Sequence, residues 1–310
     1  MHQRLSRVKS RSAAIRFLLS RAQFKECFAV VNQPGFRNSA LAGLQVAIAA
    51  LVVLPLIELS DFSHLIGFAS LGTLVALFGR FAAPERRGFT VFLCLLCQTA
   101  TVFVMSLVAW LELPMVGQLA ILALLCGTLF YIVTVGDFGP PGALIFIFAA
   151  SVSMGQVDTF ASVLERTTAT AVAAALAWLV VMITDVFRHD TPAAQDWFKS
   201  RPASHKLIAV ARMVLGSAVA AYVAYAFGGQ HAGWAAMGAV AVLQGSHLHI
   251  SMSRALQRTI GNVLGALLVA LVLLSQPSVW TIIGLVALLS FATETIIGSN
   301  YGLGQVLVTP

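Results

Sequence analysis

Apolar runs too long for a water-soluble element divide this chain from end to end. Ile121 to Val135 and Leu264 to Leu274 are continuous stretches without a charge. A helix needs roughly 20 apolar residues to cross the hydrocarbon core of a bilayer. Lipid offers no partner for an unpaired backbone group, so such runs must be helices or strands of a closed barrel. Barrel strands alternate apolar and polar residues, and these runs do not. Of the 310 residues, 59% are hydrophobic and 10% charged, against about 25% charged in a typical soluble domain. The expected fold is all-α, a polytopic transmembrane bundle of about ten or eleven helices.

Between polar or Pro/Gly breaks, ten apolar spans are expected, at about 38–57, 64–79, 88–110, 116–135, 140–156, 162–186, 207–227, 232–246, 257–275 and 279–297. An eleventh begins near Tyr301. The spans 64–79 and 232–246 are short, which tilt or bilayer thinning accommodates. The division is then a basic arm over 1–37, a first six-helix unit over 38–186, a linker over 187–206 and a second unit over 207–310. Residues 13–31 mix basic and apolar side chains, as an interfacial helix does; a flexible basic tail is the alternative.

The net charge of +7 does not mark a nucleic-acid binder, because the positive residues fall in the arm and in alternate loops. Arg80, Arg86 and Arg87 follow the second span, Arg188, Lys199, Arg201 and Lys206 lie in the linker, and Arg254 and Arg258 follow the eighth. With a cytoplasmic N-terminus every group lies inside, as the positive-inside rule requires. The opposite loops hold Glu58, Asp61, Glu112, Asp158 and Glu165 with Arg166 as their single basic residue. Cys94 and Cys97 form a CxxC inside an apolar span, where small apolar cysteine is core packing.

The two units look alike. An offset of 166 pairs Phe68 with Trp234, Gly72 with Gly238, Leu77 with Leu243 and Gly79 with Gly245. Six spans in the first unit make the repeats parallel, an arrangement that recurs in secondary carriers. The second unit is then incomplete, and the apolar run that closes at Pro310 suggests a chain cut short.

Residues 231–268 read HAGWAAMGAVAVLQGSHLHISMSRALQRTIGNVLGALL. A short helix with Trp234 near its start and a Leu-Gln at Gln244 leads into a basic loop. Arg258, Gly261 and Gly265 then open the next helix as Arg-x-x-Gly-x-x-x-Gly. This region, with NYGLGQVLVTP at 300–310, resembles the fusaric acid resistance family of the aromatic acid exporter superfamily. The resemblance implies a bacterial inner-membrane exporter of small aromatic or organic carboxylates, coupled to protons. Many members of that family carry a large cytoplasmic domain, for which the linker here leaves no room. A passive anion channel and a non-transporting scaffold or assembly subunit remain open. The implied partners are the lipid bilayer, a small organic anion and protons, with a homo-oligomer or a periplasmic adaptor open; no cofactor is implied.

Ionisable groups inside spans are functional candidates by default. Glu294, flanked by Thr293 and Thr295, is the sharpest. It is a candidate proton carrier or the acid of a static pair, with Arg212 at similar depth as the expected base. Arg212 could equally receive a substrate carboxylate or snorkel to the interface. Arg254 and Arg258 are either positive-inside anchors or a collar that gathers anions. Gly261 and Gly265, with Gly238 and Gly245, are expected to let helices approach closely. Trp234, Gln244, Asn262 and Tyr301 are candidates to line a substrate path. His231, His247 and His249 fall on different helix faces or membrane sides, so no metal site is expected. No nucleotide-binding loop or nucleophile motif appears.

Overall fold

The computed structural model describes residues 35–189, 203–244 and 248–309, with side chains of 248–252 left aside. The expected interfacial segment 13–31 and most of the linker lie outside the described residues, as do Gly245 and His247. Eleven α-helices and no strand occur among the described residues. They are α1 (Phe36–Glu58), α2 (Ile66–Thr73), α3 (Pro84–Trp110), α4 (Met115–Gly136), α5 (Leu144–Val152) and α6 (Phe160–Thr184). Then come α7 (Ala203–Ala226), α8 (Ala232–Leu243), α9 (Leu248–Leu274), α10 (Val279–Ile296) and α11 (Tyr301–Val308). Local chemistry sets several of the ends. Pro84 opens α3, where its missing N–H costs nothing. Thr159, Ser278 and Asn300 cap α6, α10 and α11 by accepting from backbone N–H groups with their side-chain oxygens.

Seven of these helices, α1, α3, α4, α6, α7, α9 and α10, are long and apolar enough to cross a membrane. Ten full spans were expected, and the others are shorter. The α2 stretch with its flanking 3-10 turns covers Ser63–Leu77, and α8 has 12 residues. The expected span at 140–156 shrinks to the 9 residues of α5, about 14 Å at 1.5 Å per residue. Gly139 and Gly142 take positive φ on either side of the Pro140-Pro141 pair, and Gly155 does so beyond the far end. These residues hold turns that the apolar composition of the stretch conceals.

Two cores organise the bundle. The larger joins α3, α4, α5, α7 and α8 around Phe78 and Phe146, whose rings stack with centroids 5.0 Å apart. The second joins α1, α2, α6 and α10 through small residues such as Ala47, Ala50, Ala69, Ala173 and Ala287. Without a hydrophobic drive between helices in lipid, small side chains matter because they bring backbones into contact. The most extensive pairings are α1 with α10, α3 with α6, α7 with α8, α2 with α6 and α4 with α7. Helix α10 thus returns to the first helix of the chain.

Candidate functional site

Arg80, Arg87, Asp185 and Arg188 of the first half gather at one end of the bundle. There the start of α1, the turn after α2, the start of α3 and the end of α6 meet the last third of α10. Gly79 makes the turn at φ +79°. A β-carbon there would lie 2.8 Å from Val91, so conformation and space both call for glycine. The turn directs Arg80 inward, where only 5% of the residue is exposed. Its Nη2 donates to Glu294 Oε2 and its Nη1 to Ser39 Oγ at 3.3 Å. Glu294 is equally buried. Gly43 of α1 lets it in, since a β-carbon on Gly43 would sit 3.1 Å from Glu294 Cβ.

Around this pair lies a second ionic layer. Arg87 Nη1 donates to both oxygens of Asp185 at 2.6 and 2.8 Å, while its Nε and Nη2 donate to the carbonyls of Gly79 and Ala82. Arg188 Nε lies 3.3 Å from Asp185 Oδ1, and its Nη2 donates to Gln45 Oε1 at 3.0 Å. Gln45 Nε2 donates to Thr184 Oγ1 at 2.7 Å. Asn38 donates to the His189 carbonyl and accepts from the His189 N–H. Burial first, and then Arg87, push the Arg188 pKa down to about 10, which leaves it charged at neutral pH. Three guanidinium groups thus share two carboxylates. Arg80 Nε and Arg188 Nη1 find no hydrogen-bond acceptor among the described residues.

The expected partner of Glu294 was Arg212; the structure pairs it with Arg80. Equal depth along the membrane normal does not make two helices neighbours. Helix α10 packs on α1 and α11, whereas α7, which carries Arg212, packs on α8 and α4. Arg212 is exposed and donates to the Leu243 carbonyl at 3.2 Å. Arg80, Arg87 and Arg188 read only as inside loop charges in the sequence. Burial and mutual contact make them the centre of this site.

The remaining candidates gather in the second half. Arg258 is buried and donates to Gln305 Oε1 at 3.3 Å. Asn262 Oδ1 accepts from Gln305 Nε2 at 2.9 Å and from Thr309 Oγ1 at 3.2 Å. Gly261 and Gly265 face α11: added β-carbons would lie 2.7 Å from Gln305 Cβ and 2.5 Å from Thr309 Cβ. Arg254 is half-buried on α9, and Tyr301 is half-buried at the start of α11. Trp234 is exposed at the other end, edge-on to Phe148. Gln244 lies beside Gly142. Gly238 and Asn262 line one hollow with Arg258, and Arg212 lines a neighbouring one.

Residues 219–310 match the fusaric acid resistance protein-like family. No curated protein and no solved structure matches the chain. The fusaric acid resistance-like segment covers α8 to α11 and includes Glu294, Arg258 and the paired glycines of α9. Arg80, Arg87, Asp185 and Arg188 lie before it, so the ionic site joins the matched segment to the rest of the chain. Seven long apolar helices together with this match make the chain a multi-pass membrane protein.

Proposed function

We propose that this protein is a secondary transporter of the bacterial inner membrane that exports small aromatic or organic carboxylates in exchange for protons. The observation that carries the reading is the buried Arg80–Glu294 pair, which ties α10 to the first half where a membrane protein tolerates charge only for a reason. A proton taken up by the Glu294 carboxylate neutralises it and releases the guanidinium of Arg80. A guanidinium freed in that way accepts a substrate carboxylate through two parallel N–H donors. Loss of the proton returns the acid to Arg80 and expels the anion. Arg80, with Ser39 beside it, therefore takes the role that sequence reasoning assigned to Arg212. Fusaric acid resistance protein-like similarity supports the transport class. The basic residues gathered at one bundle end support a cytoplasmic N-terminus.

The test uses the full chain in proteoliposomes loaded with benzoate. An imposed proton gradient drives benzoate efflux, an uncoupler abolishes it, and Glu294→Gln leaves only gradient-independent exchange. Efflux that is indifferent to the uncoupler and to Glu294→Gln overturns the coupled mechanism. Voltage-driven benzoate current without proton movement would replace it with a channel.

A further inference from the structure

Two of the three buried arginines at the ionic end have an acid of their own, and the third does not. Arg80 holds Glu294, and Arg87 holds both oxygens of Asp185. The remaining nitrogens of Arg87 donate to the carbonyls of Gly79 and Ala82, so that side chain is fully satisfied. Arg188 comes to an acid already taken. Its Nε lies 3.3 Å from Asp185 Oδ1, the same oxygen that Arg87 approaches to 2.6 Å. Among the described residues no other carboxylate oxygen lies within 4 Å of it. Yet Arg188 is the most deeply buried of the three, with 1% of its side chain exposed.

The seat of Arg188 holds it rigidly. Its Nη2 donates to Gln45 Oε1 at 3.0 Å, and Gln45 is fixed in turn because its Nε2 donates to Thr184 Oγ1. The following residue is pinned from both sides, since Asn38 donates to the His189 carbonyl and accepts from the His189 N–H. The guanidinium is thus oriented between the start of α1 and the end of α6, with Nη1 left over. A neutral amide at position 45 orients the arginine without neutralising it.

Buried polar groups are nearly always hydrogen-bonded, so a buried guanidinium nitrogen without an acceptor calls for one. A buried water would satisfy the N–H group but leave the charge unpaired. An anion satisfies both, and an unpaired buried charge is the costlier defect.

We infer that the ionic end binds one small monovalent anion against Arg188 Nη1, either a halide ion or the carboxylate of a small organic acid. The valence follows from the cluster, where three guanidinium groups and two carboxylates leave one positive charge. The size follows from burial, because a single atom or the tip of a carboxylate is what reaches a nitrogen so enclosed. Asp185, about a third exposed, marks the side from which it enters. The halide needs no transport. The carboxylate rests on the transport reading, with Arg188 as the seat filled while Glu294 still holds Arg80.

The test uses the full chain purified in detergent, in a HEPES buffer of fixed ionic strength, titrated with chloride, benzoate or sulfate. Calorimetry reads binding and thermal unfolding reads stabilisation. Chloride or benzoate is expected to bind saturably and to raise the melting temperature. Chloride alone assigns a resident counter-ion, and a benzoate response assigns a seat for the transported acid. Arg188→Lys keeps the charge but removes the spare nitrogen of the fork, and should weaken binding at least about tenfold. Glu294→Gln, which disables the proton cycle, should keep the anion bound at least as tightly, so the site and the coupled mechanism fail separately. Absence of saturable binding to the parent protein overturns the site. So does an equal response in Arg188→Lys, or sulfate matching chloride and benzoate at equal ionic strength.

Discussion

In its most apolar window α1 is 50% buried within the chain, whereas the corresponding windows of α7 and α9 are 17% buried. Composition does not explain the contrast, because all three helices are apolar almost throughout. The difference lies in what covers them. Helix α1 is held by α2, α6 and α10, and α3 is held by α6. Helix α7 has α4 and α8, and α9 rests mainly on α11. The charges follow the same division. Arg80 and Arg87 each meet a carboxylate within the protein, while Arg258 meets an amide. A membrane helix is satisfied by lipid on any apolar face, so an uncovered apolar surface costs little. An arginine buried without an acid costs more, and it is the arginines' partners that distinguish the halves.

The largest expected effect breaks the satisfied half. Arg80→Ala leaves Glu294 buried without its base and should cost about 3–5 kcal/mol. Thermal unfolding in detergent measures it. Adding Glu294→Gln should recover most of the loss, and a double mutant no more stable than Arg80→Ala alone would mean that the pair contributes nothing. Next comes the glycine comparison. Gly72→Leu drives a side chain into the backbone of α6 and should destabilise by about 3 kcal/mol, while Gly238→Leu changes the melting temperature little. Equal losses at both positions would erase the contrast between a filled and an open seat.

Asp185→Asn should cost about 1 kcal/mol, because the acid is about a third exposed and solvent screens its pairing. Arg254→Gln should fall within about 0.5 kcal/mol of the parent, as expected for a half-buried residue that pairs with no carboxylate among the described residues. A loss at Arg254 as large as that at Asp185 would show a hidden carboxylate already in place.

Much of the architecture was legible because apolar length and helix are equivalent in a bilayer. All eleven helices fall on the expected segments, and the Gly/Pro breaks mark their boundaries. The length of α5 was overestimated, because the expected span over 140–156 followed apolar composition through the Pro140-Pro141-Gly142 turn and past Gly155. Glu294 was legible as an acid in an apolar run. Its partner was not, because helices that are apolar all round carry no periodic stripe to show which neighbour each face meets. Arg80 was hidden for another reason: a basic residue after a span satisfies the positive-inside rule whether it points outward or turns in. Gly79 was the available signal, a residue that bends the chain back just before the charge.

The separation of Arg80 from Glu294 along the chain, 214 residues, has a consequence for how the protein is made. At ordinary synthesis rates roughly 10–40 s pass between the two residues leaving the ribosome. Over that interval Arg80 lacks Glu294, and its long side chain can stay near headgroups and water. The first half can therefore insert but cannot draw that charge inward until α10 arrives beside α1. Arrival of that carboxylate then lets the arginine move inward, so a residue made early is buried only once a helix made much later is in place.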